Sequence, residues 1–579
     1  MTEVEIIRLV ADELKLMAFQ VQNTIELLDS GNTVPFIARY RKEVTGSLDE
    51  NQIRAIEERI HYLRALEARK ETILHSIEEQ GKLTPELKAK IQKATKLQEV
   101  EDLYLPYKPK KRTRATVAKE KGLEPLAEMI LKQEITEGSP DEFAVKFVND
   151  EKQVSTVEEA LQGAMDIVAE VISDDADVRK VIRETTFKTG LLQSEEKRSE
   201  GRTPYEMYYE YSEPINSIPP HRVLAINRGE NEGVLRVSVE VETPQMLALI
   251  ENLYIKNEKS IFTDYLRKAI EDSYQRLIFP SIQREVRAAL TEKADEHAIG
   301  VFAQNLKNLL LQPPVRGKII MGIDPGFRTG SKVAVIDETG KYLEGTTIYP
   351  HPPQNRYLEA KSTVRALINR HGVDVIAIGN GTASRETEMM VAELIHEMKD
   401  ERKVEYVIVN EAGASVYSAS KVAQQEFPDL EASMRGNISI ARRLLDPLAE
   451  LVKIDPKSIG VGLYQHDVNQ KRLAEALHQV VESAVNMVGV NLNTASASLL
   501  KYVSGLTSRT ANNIVKHRDT HGPFRNREEL KNVDGIGEIA FQQSAGFLRI
   551  PDGENPLDNT SIHPESYEAT EKLLKKFGI

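Results

Sequence analysis

Cysteine is missing from all 579 residues of the chain. Its absence excludes disulfides and any thiolate metal site, and it fits a reducing, cytoplasmic compartment. Long apolar runs are missing too. No stretch approaches the roughly 20 uncharged residues that a membrane span requires, so no membrane is expected among the partners. The opening residues, Met1 to Phe19, carry Glu3, Glu5, Asp12 and Glu13 among apolar ones. A signal peptide needs a basic start and an unbroken apolar run, so this segment reads as an amphipathic helix. The third lack is an excess of cations. A formal net charge of −13 at pH 7 argues against indiscriminate coating of nucleic acid, although local patches, not total charge, decide contact. What is present is ordinary globular material, 40% hydrophobic and 28% charged, in a chain too long for one core.

The pattern predicts a multidomain protein, mainly α, with one α/β domain. Ile53, Ile56, Ile60, Leu63, Leu66, Ile73 and Ile77 recur at mostly helical steps, the mark of a helix that buries one stripe. Thr84 caps a further helix with Pro85 at its first position. Residues 1–200 thus form a helical N-terminal region. Residues 201–315 read as a mixed region: a β-hairpin between His221 and Glu242, with Val223 and Ala225 on its first arm, then a long spine helix from near Pro280 that Pro313-Pro314 stops. From residue 316 to 453 strands alternate with helices. Strands are predicted at Ile319–Asp324, Lys332–Asp337, Tyr342–Tyr349, Val373–Gly379 and Glu405–Val409, in the order of an RNase H-like fold. Residues 454–556 return to short helices and Gly turns, and 557–579 begin a further helical element. No sustained heptad seam or second symmetric patch is visible, which favours a monomer.

The strongest motif is a pair of helix–hairpin–helix turns. Leu530 and Val533 precede Gly535-Ile536-Gly537; some thirty residues earlier Leu500 and Val503 precede Gly505-Leu506-Thr507. Glycines there let a turn present successive N–H groups at a helix N-terminus, a ready phosphate site. Thr507 replaces the second glycine of the first copy. Ala511 keeps the small residue that lets helices approach, where the second copy has Phe541. Such turns grip sugar–phosphate backbone without reading bases. Arg509, Lys516, Arg518, Arg525 and Arg527 are the local cations expected to assist. Elsewhere Lys108, Lys110, Lys111, Arg112 and Arg114 place five cations in seven residues; the stretch is either a solvated loop or a phosphate-contacting one.

Asp324 ends the first strand of the α/β domain, where RNase H-like nucleases hold a magnesium pair. Glu411 is the best second carboxylate; the late helix offers only Asp446. That acid set is too small for a two-metal site, so both residues are read as vestigial, with no catalytic residue, metal or cofactor expected. A magnesium-dependent, structure-selective nuclease of the Holliday-junction resolvase type is the alternative. Gly326 to Lys332 imitates a phosphate loop, but Ser331 interrupts its Gly-Lys pair and a strand follows. His466-Asp467 lacks metal-ligand spacing.

Four stretches, Asn32–Lys42, Gly379–Glu388, Asn410–Ser418 and Ser458–Asp467, closely resemble the Tex family of bacterial RNA-binding transcription accessory proteins, and the resemblance covers the whole chain. It implies a helix–turn–helix unit in the N-terminal region, a YqgF-type RNase H-like domain and tandem helix–hairpin–helix elements. In that family an OB-fold RNA-binding domain follows; here the chain stops within what would be a further helical hairpin domain. The resemblance implies RNA, with DNA as another ligand, and work near RNA polymerase or the transcription–translation machinery.

Overall fold

The computed structural model describes residues 1–197 and 201–578. They fold as two compact units, Met1–Val21 with Ala55–Ala298 and Gln22–Arg54 with Ile299–Ile579. No helix among the described residues is long and apolar enough to cross a membrane.

The first unit is mostly helical. In the Glu50–Glu79 helix, Ile56, Ile60, Leu63, Leu66, Ile73 and Ile77 are all buried, as their spacing requires. Thr84 caps Pro85–Lys93 by accepting from Leu87 N, with Pro85 at the first turn. A small antiparallel sheet holds β1 (Leu191–Glu196) between β2 (Glu210–Pro214) and β3 (Leu235–Glu240).

Two expectations fail in this unit. Only the second arm of the supposed hairpin is a strand; the first, with Val223 and Ala225, lies in the helix Pro220–Asn231. Its core side carries Val223, Ile226 and Gly229 at three-residue spacing. Gly229 is there for closeness, not for a turn: an added Cβ would stand 2.6 Å from Leu235 Cδ1. The spine helix likewise starts before Pro280. Helix Thr263–Asp272 runs through a π-helical stretch, Ser273–Ile278, into Phe279–Leu310. The widened turn accommodates a proline that would break a regular helix.

The second unit contains the mixed sheet, formed by β4 (Ile320–Asp324), β5 (Ser331–Ile336), β6 (Tyr342–Ile348), β7 (Val375–Gly379) and β8 (Glu405–Val409). Its order is β6-β5-β4-β7-β8, antiparallel through β4 and parallel from β4 to β8. This is the predicted RNase H-like arrangement. On one face Met321 and Ile323 pack with the helices Tyr357–His371 and Ser384–Glu397; on the other Ile320 and Ala377 meet the helix Ala432–Leu445.

Residues 22–54, assigned by sequence to the N-terminal region, belong to this second unit. The Thr33 N–H donates to Gln543 Oε1 at 3.0 Å, Arg39 donates to Asn486 O at 3.1 Å, and the Tyr40 hydroxyl donates to Gly546 O at 2.7 Å. Phe36 and Ile37 are fully buried.

Arg527 is the residue the sequence misassigns most clearly. Far from reaching phosphate, it is 1% exposed. It donates to Leu548 O, Thr560 O, Ile562 O and the Tyr567 hydroxyl at 2.6–3.0 Å, with Asp558 at 4.0 Å. The planar guanidinium fits several convergent acceptors that an ammonium cannot serve together. Arg527→Lys is therefore expected to destabilise the second unit by about 2–4 kcal/mol. Chemical denaturation of the full chain checks this; an unshifted transition would show that the carbonyls do not need their donor.

Candidate nucleic-acid interface

The second hairpin is built on buried Leu530, Val533 and Ile536. Gly535 turns the chain with φ +85°, and Ile536 N closes the turn on Val533 O at 3.1 Å. Gly537 then takes the N-cap position of the helix Glu538–Ser544, with no side chain capping it. An added Cβ at Gly537 would meet nothing within 4 Å. No side chain caps this helix start, so its first N–H groups are left for another acceptor, a place that favours an anion.

The first hairpin has the same shape and a different finish. Gly505 has φ +76°, but Thr507 caps the helix Ser508–His521 with its own hydroxyl. Thr510 N donates to Thr507 Oγ1 at 3.2 Å and Thr507 N donates back to Thr510 Oγ1 at 2.8 Å. The donors that a phosphate would use are partly spent on this box. Gly505 is also turned inward, since its Cβ would lie 2.4 Å from Gln543 Cβ in the second hairpin's helix. Gly535 in turn faces the first hairpin's helix, where an added Cβ would lie 3.4 Å from Thr510 Cγ2 and 3.8 Å from Asn513 Nδ2. The two hairpins therefore clasp each other, each glycine seated against the other's second helix.

The predicted cations divide. Arg509, Lys516 and Arg525 are exposed; Arg509 stands 3.6 Å from Asp534 and Arg525 3.9 Å from Glu554. Arg518 is a correction: it donates to Leu492 O and Ala495 O, both at 3.0 Å, and burial lowers its pKa. With Arg527 it serves the fold. The sequence reading missed Lys531, whose ammonium lies 4.5 Å over the Phe541 ring, and Ile539, 71% exposed beside the bare helix start. Ile539 follows Gly537 by two residues, and that position was the available signal. The basic stretch belongs to the first unit, where it is split. Lys110 pairs with Asp174 and Glu170, and Arg112 with Glu120 at 2.8 Å, while Lys108, Lys111 and Arg114 are exposed.

In the α/β domain the structure brings Asp324 and Glu411 to one face of the sheet. Asp324 follows Gly322 by two residues and so points, like Gly322, towards the Ala432–Leu445 helix. Glu411 reaches over Gly379 and Gly381, where added Cβ atoms would stand 2.2 and 1.8 Å from its oxygens. Burial, then the Glu411 charge, raises the Asp324 pKa to about 6, against the pull of Lys332. Glu411 Oε2 and both carboxamide atoms of fully buried Asn437 have no hydrogen-bond partner. Asn437 and Arg443, which donates to Asn410 O and Ala412 O at 2.7 Å, escaped the sequence reading, which searched that helix for acids. Asp446 caps Pro447–Leu451. Among the described residues no group of three His, Asp or Glu side chains could hold a metal ion.

Residues 4–78 match the family model of the Tex-like protein N-terminal domain, 136–302 the Tex central region-like segment and 318–445 the Tex protein YqgF-like domain. Residues 485–549 match the helix-hairpin-helix motif and 555–579 the HHH domain. Transcriptional accessory protein Tex of Neisseria gonorrhoeae is 47% identical over 99% of this chain and 76% of its own length. The chain belongs to the Tex family. Protein YhgF of Escherichia coli is 46% identical over 98% of this chain and 74% of its own. The uncharacterized protein YdcI of Bacillus subtilis is 54% identical over 98% and 79%. The clasped hairpins lie within the matched helix-hairpin-helix stretch of this Tex-family chain, and Asp324 and Glu411 lie within its YqgF-like domain.

The raised Asp324 pKa has a measurable consequence. A carboxyl group whose folded pKa exceeds its unfolded value favours the protonated fold. The contribution of Asp324 to stability is then fully present below about pH 4 and is lost as pH rises through about 6, an effect of roughly 2–3 kcal/mol from this one group. Asp324→Asn should stabilise the chain by about 2 kcal/mol near pH 8 and change little near pH 4. Denaturation at the two pH values tests this; an equal effect at both would show that the charge is not the cause.

Proposed function

We propose that this Tex-family chain is a non-enzymatic scaffold that binds RNA, and DNA as well, by its sugar–phosphate backbone without regard to sequence. The observation that carries the proposal is the clasped hairpin pair, with one helix start at Gly537 that no side chain caps, exposed Arg509 beside its turn at Asp534, and exposed Lys516 and Arg525 further along the segment that joins the hairpins. A nucleic-acid-binding role follows from the family and the matched helix-hairpin-helix motif; the grip at Gly537 is the finer reading. In this reading the chain is a cytoplasmic monomer that works beside RNA polymerase or the transcription–translation machinery. The transcription role is supported by the Neisseria relative, which is a transcriptional accessory protein by name.

Gly537 offers a clean test, because its φ of −89° suits any residue and nothing crowds it. Aspartate there would cap the helix while placing a carboxylate where phosphate should sit. Gly537→Asp is expected to keep or raise stability by up to about 1 kcal/mol and to weaken oligonucleotide binding about tenfold or more. Fluorescence anisotropy with labelled single-stranded RNA, single-stranded DNA and duplex, titrated with salt, reads both the loss and the number of phosphates held. Unchanged affinity for all three would remove the hairpins from the interface.

The convergence of Asp324 and Glu411 on one face is the observation behind the nuclease alternative. Two carboxylates and a carboxamide do not fit a magnesium pair, which needs more anionic ligands, and this supports the non-enzymatic reading. Incubation with branched DNA and structured RNA in magnesium or manganese is expected to leave both intact. Cleavage that disappears in Asp324→Asn would overturn that expectation.

A further inference from the structure

The segment joining the two hairpins carries a feature that phosphate binding does not use. The rings of Phe524, His517 and His521 form a ladder. His517 stacks on Phe524 with centroids 5.3 Å apart and planes 20° from parallel, and on His521 at 4.4 Å and 26°. The ladder runs from core to solvent: Phe524 is buried, His517 is half-buried and His521 is exposed. Its inner end is anchored, since Phe524 N donates to Asn493 Oδ1 at 2.8 Å and Asn493 Nδ2 donates to Phe524 O at 2.9 Å. His521 is exposed, and its Nδ1 lies 3.2 Å from His517 O, which holds the outer ring against its own helix.

Its position matters as much as its chemistry. Asn513, His517 and His521 lie four residues apart on the Ser508–His521 helix and share one stripe. Asn513 touches the second hairpin turn through Asp534 O, at 2.8 Å. His521 therefore lies about 12 Å along the helix from the turn that leads to Gly537, the length of three or four stacked nucleotides. Exposed Lys516 and Arg525 flank the ladder, and among the described residues Lys516 has no ion-pair partner.

We propose that the His521 ring is a stacking platform for an unpaired base of a single-stranded nucleic acid whose backbone is held at Gly535–Gly537. The inference rests on the hairpin reading above and narrows its ligand to single strands, because a base inside a duplex is already stacked on both faces. Stacking accepts any base and so keeps the binding indifferent to sequence.

The test uses the full chain, with labelled single-stranded RNA and single-stranded DNA of about a dozen nucleotides and a closed circular duplex, which has no terminal base face. His521→Ala is expected to weaken both single strands about tenfold and to leave the duplex within about twofold. His521→Phe, which keeps a plane and removes the imidazole, should restore binding. A 2-aminopurine base in the single strand should be quenched by the native protein and by His521→Phe, and not by His521→Ala. Equal losses on single strand and duplex would make His521 a phosphate contact and overturn the proposal. So would unchanged binding throughout, a loss confined to RNA, or a phenylalanine variant that behaves like alanine. Failure of the hairpin reading looks different: Gly537→Asp would then leave every ligand bound as before.

Discussion

Two missing Cβ atoms hold the candidate interface in shape. Gly505 sits against Gln543 and Ala540 of the opposite hairpin, and Gly535 against Thr510 and Asn513. A side chain at Gly505 would push the second hairpin's helix away, and the bare start at Gly537 would move with it. Both glycines also adopt φ values that other residues reach only with strain. The same atoms thus set each turn and the spacing between the turns. Phosphate contacts need donors fixed before the ligand arrives, and this clasp supplies the rigidity.

Close approach of backbone recurs where the chain departs from simple pattern reading. Gly379 and Gly381 clear the space that the Glu411 carboxylate fills, Gly322 lets the Ala432–Leu445 helix lie on β4, and Gly546 admits the Tyr40 ring. Several conspicuous Gly-containing stretches of the sequence are seams of this kind, with a partner far away in the chain.

The strand order of the α/β domain was legible, because buried strands bounded by turns carry a strong local signal. So was the hairpin pair, whose two apolar anchors before a Gly turn recur about thirty residues apart. What escaped was whatever depended on distant partners. Arg518 and Arg527 look like surface cations in one dimension, and only the folded chain shows the carbonyls that surround them. Pro280 looks like a helix start until the π-helical stretch before it is seen. Gly229 looks like a turn until Leu235 is placed against it. Asn437 and its unpartnered carboxamide carried no signal, since nothing local distinguishes a buried asparagine from a solvated one.

The bond from Thr33 to Gln543 spans 510 residues of chain. Ribosomes add roughly 5–20 residues each second. Phe36, Ile37 and their neighbours therefore emerge about half a minute to two minutes before the surface that buries them has been made. Throughout that interval the residues that pack against Thr33, Arg39 and Tyr40 in the finished unit are still missing. The second unit can therefore close only after the residues that cover Phe36 and Ile37 have been made.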